Sequence, residues 1–435
     1  MKKVAFHTLG CKVNQYETEA MAELFKNNGY DIVEEDENAD VYVINTCTVT
    51  NLGDRKSRQF IRRAKNRNPD SVIAVVGCYA QASPEEVISI KEVDIVIGTK
   101  DRDRIVELSQ QVKENRRKIN IVTDIMKQHE FEEMEIDDIK GKTRAFLKIQ
   151  EGCNQYCSYC IIPYARGPIR SRKLENIIRE VKKLANKGFK EVVLTGIHVA
   201  SYGKDIGEIR LIDVIEEAHE ISGIERIRLS SIEPTIMTKE FLDRLVKLPK
   251  VCDHFHLSLQ SGSDTVLKRM NRKYTTEEYK NIVQLIREYM PNVGITTDII
   301  VGFPGETEEE FQETCKFVNE IGFSRIHVFP YSPRKGTPAA KHKNQISGEI
   351  KHQRSKKLIK IGEENTTKFI SRFIDSTLDV LFEEESKLNS GFIEGYTTNY
   401  IRVLSEGSTS LEGEILPVRL EKAKGENLIG KIFFQ

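Results

Sequence analysis

The chain has 435 residues, with 66 Lys+Arg balanced by 66 Asp+Glu. That length exceeds one ordinary core and points to two or three domains, and the zero net charge excludes a globally basic nucleic-acid coat, leaving only local patches for that role. No apolar run approaches the roughly twenty residues that span a bilayer, nothing at the N-terminus resembles a signal peptide, and eight cysteines in such a chain fit a reducing, cytoplasmic setting where thiols serve metals.

From Val4 to about Gly98 the pattern alternates. Apolar runs Val4 to Phe6, Val41 to Ile44, Val72 to Val76 and Ile95 to Ile97 are separated by helical stretches such as Glu17 to Asn27, which predicts a small parallel α/β domain over residues 1–112. Cys11, Cys47 and Cys78 each fall just beyond one of the first three runs. Ligands of open α/β sheets gather outside the carboxyl ends of the strands, so three cysteines spread along the chain converge on one edge and read as one set of metal ligands. A single buried Cys is commonly a bystander; three at equivalent positions are not easily so. Residues 113–142, with Glu-Glu-Met-Glu-Ile-Asp-Asp at 132–138, read as an exposed, charged linker.

A second domain is expected over 143–373. Its apolar strands are Phe146 to Ile149, Val192 to Leu194, Ile227 to Leu229, Phe255 to Leu259, Ile295 to Val301 and Ile326 to Phe329. A helix carrying Leu174, Ile177, Ile178, Val181, Leu184 and Ala185 on one face stops at Gly188, and Thr307 with Glu310 predicts a capping box opening another. Six βα units make a partial barrel, with its site at the carboxyl ends of the strands. The loop after the first strand carries Cys153, Cys157 and Cys160 in C-x3-C-x2-C spacing. Three thiolates on so short a segment can hold three irons of a [4Fe-4S] cube and leave the fourth open. A structural zinc site is the rival reading, but it needs four ligands, and no other Cys or His follows within thirty residues. Cys252 and Cys315 read as core residues, and His198, His254 and His256 as core or lining residues.

A Lys-rich helix between about Lys341 and Phe373 carries Lys351, Arg354, Lys356, Lys357 and Lys360, suited either to phosphate or to a solvated face. Short strands then predict a small β-barrel over 374–435, which holds 6 Lys+Arg against 11 Asp+Glu, a net −5 that does not favour RNA.

The C-x3-C-x2-C loop resembles that of the radical S-adenosylmethionine (SAM) superfamily, in which the open iron chelates SAM and an electron from the cluster cleaves it to a 5′-deoxyadenosyl radical. Together with Thr8-Leu9-Gly10-Cys11-Lys12-Val13-Asn14-Gln15-Tyr16-Glu17, Asn45-Thr46-Cys47-Thr48-Val49, Gly77-Cys78-Tyr79 and the terminal Gly395-Tyr396-Thr397-Thr398-Asn399-Tyr400, the chain resembles the radical SAM methylthiotransferases along almost its whole length. The resemblance implies an α/β chain with an N-terminal methylthiotransferase domain, a central partial (βα)6 radical SAM barrel and a terminal TRAM barrel. It also implies two [4Fe-4S] clusters and two uses of SAM, one to methylate a sulfur on the auxiliary cluster and one to activate the substrate carbon. By the same resemblance Thr195 and Gly196 meet the SAM amino group, Ser231 and Glu233 the ribose, and Asp298 and Gly302 flank the adenine; each also has a plain structural reading as a strand end or turn. Implied partners are the tRNA anticodon stem-loop, an electron donor such as flavodoxin or ferredoxin, and a sulfur source. The Gly-Cys-Lys-Val-Asn-Gln-Tyr-Glu stretch most resembles the branch that acts on N6-threonylcarbamoyladenosine at tRNA position 37. Alternatives are the isopentenyladenosine branch, the branch acting on a ribosomal-protein aspartate, and an iron–sulfur RNA-binding protein without turnover. The RNA reading rests on that resemblance, on the Lys-rich helix, and on Arg166, Arg170, Arg172 and Lys173 near the barrel mouth.

Overall fold

The computed structural model describes residues 2–134, 136, 143–387 and 390–433. Residues 135 and 137–142 of the expected linker, and 388, 389, 434 and 435 of the expected terminal barrel, lie outside the described residues.

The N-terminal sheet is parallel, ordered β2 (Tyr30–Val33), β1 (Lys2–Thr8), β3 (Val41–Thr46), β4 (Val72–Gly77), β5 (Ile95–Ile97) and β6 (Ile119–Asn120). β3 and β4 are buried along their whole length, because helices cover both faces of a parallel sheet. The first helix, Lys12–Asn27, is shared between domains. Met21 and Phe25 pack into the N-terminal sheet, while Tyr16 and Ala20 join the core of the central domain.

The segment expected to be a linker is part of this seam rather than free of it. It supplies β6, the Glu132 carboxylate paired with buried Arg102, and Met134, whose carbonyl accepts the Tyr16 hydroxyl at 2.8 Å. Met134 and Ile136 are buried in the central core. Charge made the stretch look solvent-bound, but Glu132 and Glu133 are paired with the distant Arg102 and Arg172.

In the central domain β7 (Arg144–Glu151), β9 (Glu191–Gly196) and β10 (Arg226–Leu229) are parallel, with the short antiparallel β8 (Arg170–Ser171) on the outer edge. β11 (His254–His256), β12 (Gly294–Val301) and β13 (Arg325–Pro330) continue in parallel, joined to β10 through the Ile227–Val251 and Ile232–Leu257 bridges. This is the six-strand partial barrel. The helices Leu174–Asn186 and Glu308–Ile321 form as the spacing predicts, the second with its Thr307–Glu310 capping box. Alternate residues divide the strand faces. Leu147, Leu194, Ile227, Phe255 and Ile295 pack under the helices, whereas Arg144, Phe146, Lys148, Glu191, Arg228, His254, His256, Thr296 and Asp298 face the concave side.

β14 (Thr377–Glu385), β15 (Phe392–Thr397), β16 (Arg402–Glu406), β17 (Ile415–Lys424) and β18 (Asn427–Ile432) close into the terminal barrel, ordered β14-β15-β16-β18-β17. It seats on the amino ends of the central strands. Arg228 donates to the Thr397 and Thr398 carbonyls, Arg226 to those of Tyr396 and Asp379, and Asn399 to that of Asn292. Part of its acidic charge is spent here: Glu383, Glu414 and Glu426 pair with Arg144, Lys190 and Arg325.

Candidate active site

Cys11 caps the first helix, Cys47 follows β3, and Cys78 follows β4, so the topology brings the three thiols to one sheet edge. Asn14 fastens the edge. Its Nδ2 donates to the carbonyls of Leu9 at 2.7 Å and Thr46 at 3.0 Å, and its Oδ1 accepts from Cys11 Sγ at 3.6 Å. Gly10, at φ +114°, is dictated by close approach: a Cβ there would lie 2.9 Å from Cys47 Cβ and 3.2 Å from its Sγ.

The second triad lies in the loop after β7. Cys153 N–H donates to the Gly167 carbonyl at 3.0 Å and Cys160 N–H to that of Cys157 at 3.0 Å. Arg272 donates to Cys157 Sγ at 3.3 Å and to Glu233 Oε2 at 2.8 Å, and His198 Nε2 lies 3.6 Å from the same carboxylate. Burial pushes Cys153 up to about 11, and Cys78 and Cys160 up to about 12. Buried neutral thiols like these are what a metal converts to thiolate ligands, with release of protons. Each triad therefore fits a cube with three protein-ligated irons, held by Cys11, Cys47 and Cys78 or by Cys153, Cys157 and Cys160. Cys252 and Cys315 lie apart in the core, Cys252 beside Arg228 near the amino ends of the strands.

One buried ion network joins the two triads. Arg166, fully buried, follows the Cys160 loop; its Nε lies 3.2 Å from Cys78 Sγ, Nη2 donates to Asn14 Oδ1 at 2.7 Å, and Nη1 meets both Glu17 and, at 2.7 Å, Glu151. Lys148 bonds Glu17 at 3.2 Å and Glu151 at 3.4 Å. Arg166, Arg102 and Lys148 hold Glu17 down to about 2 despite its burial, and Glu151 well below the usual carboxylate range. Arg170 is also buried here beside Glu151, and Arg172 is buried against Glu180. These three arginines, expected at an RNA-facing mouth, are thus interior; only Lys173 is exposed. Each carboxylate comes from a different segment, which no local pattern announces.

The SAM-binding candidates separate. Thr195 is buried at the end of β9 with Gly196 behind it, against the Gln150 carbonyl; Ser231 is exposed beyond β10. Glu233 lines a side cavity with His198 and Gln155. Gly302 turns away after β12, where its N–H is taken by Glu306 and its Cα faces Lys351. Asp298 stands 3.2 Å from His256 Nε2 and lines a cleft of about 240 Å3 with Val49, Thr50, Cys160, Gln260 and Phe329. That cleft draws on the loop after Cys47, the second triad and the concave face together. The Lys-rich helix, Gly348–Ser371, divides in the same way: Arg354 is buried on Glu306 and Lys351 donates to the Tyr331 carbonyl, while Lys356 and Lys360 face solvent.

Sequence reasoning missed Asn14, Arg272 and the polar concave face. For the last a signal exists, the alternation Arg144-Phe146-Lys148, His254-His256 and Thr296-Asp298 inside otherwise apolar strands.

Residues 147–318 match the Radical SAM superfamily, and residues 3–98 match the uncharacterized protein family UPF0004. The chain is 47% identical, over 97% of its own length and 94% of the relative's, to the threonylcarbamoyladenosine tRNA methylthiotransferase MtaB of Bacillus subtilis (strain 168). It is 45% identical to the enzyme of that name from Aquifex aeolicus (strain VF5), over 93% of this chain and 97% of the relative. It is 38% identical, over 98% and 95%, to the tRNA-2-methylthio-N(6)-dimethylallyladenosine synthase of Clostridium tetani (strain Massachusetts / E88). Among solved structures, the radical SAM methyltransferase TsrM from Kitasatospora setae shares the fold at TM-score 0.58 with 14% identity, over 78% of this chain and 77% of that one. The chain belongs to the methylthiotransferase family of radical SAM enzymes, with the MtaB-type branch of that family.

Proposed function

We propose that the chain converts N6-threonylcarbamoyladenosine at tRNA position 37 to its 2-methylthio derivative, in the cytoplasm. The observation that carries the reading is the cleft bounded by the loop after Cys47, by Cys160 and by Asp298: sulfur supply and radical generation are separate tasks that must reach the same carbon. When bound, the two clusters and SAM supply the one-electron chemistry and the sulfur. Cys153, Cys157 and Cys160 hold the cluster that receives SAM, and Cys11, Cys47 and Cys78 hold the cluster that carries sulfide. Arg272 orients Cys157 and Glu233 together, placing a carboxylate for the SAM ribose beside that triad, and Asp298 lies on the cleft wall for the adenine. Arg166 and Asn14 fix the N-terminal triad against the radical domain. An anticodon stem-loop suits this arrangement, because loop bases can be splayed out of their stack and read one at a time. Reducing equivalents come from a small electron carrier of the flavodoxin or ferredoxin kind, and sulfide from a separate donor.

The test is the purified, reconstituted enzyme with reductant, SAM and sulfide on two tRNAs. It should methylthiolate threonylcarbamoylated tRNA and leave isopentenylated tRNA unchanged; the reverse preference would assign the chain to the other substrate.

A further inference from the structure

The threonylcarbamoyl group ends in a carboxylate that an isopentenyl group lacks, and on the reading just given the protein must meet that charge. The concave side of the central barrel, above the turn Tyr396 to Tyr400, is built from charged side chains. Arg228 is committed to Glu191 at 2.7 Å and to two carbonyls, Arg226 to the carbonyls of Tyr396 and Asp379, and Arg144 to Glu383 at 2.6 Å and the Tyr400 hydroxyl at 3.3 Å. Lys12 enters the same chamber from the N-terminal domain. Its ammonium lies 5.8 Å from the centre of the Phe146 ring and within electrostatic reach of Tyr400, Arg144, Arg228 and Glu191. Among the described residues no carboxylate lies within ion-pair distance of Lys12, and Glu191 is already taken by Arg228.

Four cations, Lys12, Arg144, Arg226 and Arg228, thus share the chamber with three carboxylates, Glu191, Glu383 and Asp253. A cation over an aromatic face is not neutralised by the ring, and a surplus cation in a buried chamber is costly unless an anion joins it. Lys12 also follows Cys11 directly in the chain, the N-cap of the first helix and a member of the N-terminal triad.

We infer that Lys12 is the substrate-binding residue that pairs with the threonylcarbamoyl carboxylate and so selects this modified adenosine over its uncharged counterpart. The inference rests on the function proposed above. The arginines set the field of the chamber, and Lys12 is the donor left free to meet the ligand.

The test is equilibrium binding to the anaerobically reconstituted protein, with iron counted on every preparation. The probes are an anticodon stem-loop bearing threonylcarbamoyladenosine and the same stem-loop with that carboxylate converted to its methyl ester. The native protein should prefer the free carboxylate by about tenfold to a hundredfold, the range expected for a charged hydrogen bond. Lys12→Met should bind both RNAs alike, and Lys12→Arg should recover part of the preference. Because both RNAs are compared on one preparation, lost iron or partial unfolding cancels. Equal binding of both RNAs by the native protein, or an undiminished preference in Lys12→Met, would overturn the inference. Activity of the native enzyme on isopentenylated tRNA alone would instead overturn the proposed function beneath it.

Discussion

Arg166 Nε lies 3.2 Å from Cys78 Sγ. Six residues beyond the last cysteine of the radical loop, one guanidinium reaches the thiol of the other triad and holds it within a network of Glu17, Glu151 and Asn14. The N-terminal triad is therefore tied by buried ion pairs to the segment that follows the radical loop, and such pairs resist opening more than a surface contact does because any opening strands charge in the interior.

Removing that guanidinium should be severe. Arg166→Ala leaves Glu17 and Glu151 short of a partner in a dry site and should cost about 3–5 kcal/mol, read as a lowered Tm of the cluster-free protein. Iron at the N-terminal triad should fall with it. A variant with native Tm and native iron would remove Arg166 from any joining role.

The same network gives an acid signature. Glu17 is held at about 2 by Arg102, Arg166 and Lys148 against the pull of burial. A carboxyl depressed in the folded state adds stability that is fully present above its unfolded value, about 4.3, and shrinks as pH falls toward the folded value. The Tm gap between native protein and Glu17→Gln should be widest above about pH 5 and narrow steadily toward pH 2. A gap independent of pH would mean that the charge of Glu17 contributes nothing.

The two triads should fail differently. Cys157→Ala should abolish 5′-deoxyadenosine formation and lose about one cube of iron, leaving the other cluster in place. Changing Cys11, Cys47 and Cys78 together to Ala should leave SAM cleavage measurable while methylthiolated product disappears. Robust SAM cleavage by Cys157→Ala, or native product from the triple variant, would contradict the division of labour.

Lys356 and Lys360, on the outer face of the helix Gly348–Ser371, should be the phosphate-facing pair. Each Lys→Ala change should weaken binding of any tRNA alike and lower the log–log salt slope by about 1, without a change in Tm. Arg354→Ala, which removes the partner of buried Glu306, should lower Tm instead. An unaltered salt slope would make the Lys-rich face merely solvated.

These differences show where a sequence speaks. The strands β3 and β4 and the Thr307 capping box were legible because their signals are local: continuous apolar runs and a fixed i to i+3 spacing. β2 was not, since Tyr30–Val33 is short and half exposed at the sheet edge, and β6 is only two residues long. The cysteine triads were legible through topology, each thiol standing just past a strand. Arg166, Arg170 and Arg172 were misplaced at the surface because charge reads as exposure until its partners are known, and Glu17, Glu151 and Glu180 come from three separate elements. The net −5 of the terminal barrel was likewise opaque, since Glu383, Glu414 and Glu426 meet their cations only across a domain boundary.

The substrate is read out by nucleoside mass spectrometry on bulk tRNA from a strain lacking the gene. In that strain 2-methylthio-N6-threonylcarbamoyladenosine should disappear and N6-threonylcarbamoyladenosine accumulate in its place, and the native gene should restore the product while Cys157→Ala should not. Undiminished 2-methylthio-N6-threonylcarbamoyladenosine in that strain, or loss of the methylthiolated isopentenyl nucleoside in its stead, would contradict the proposed function.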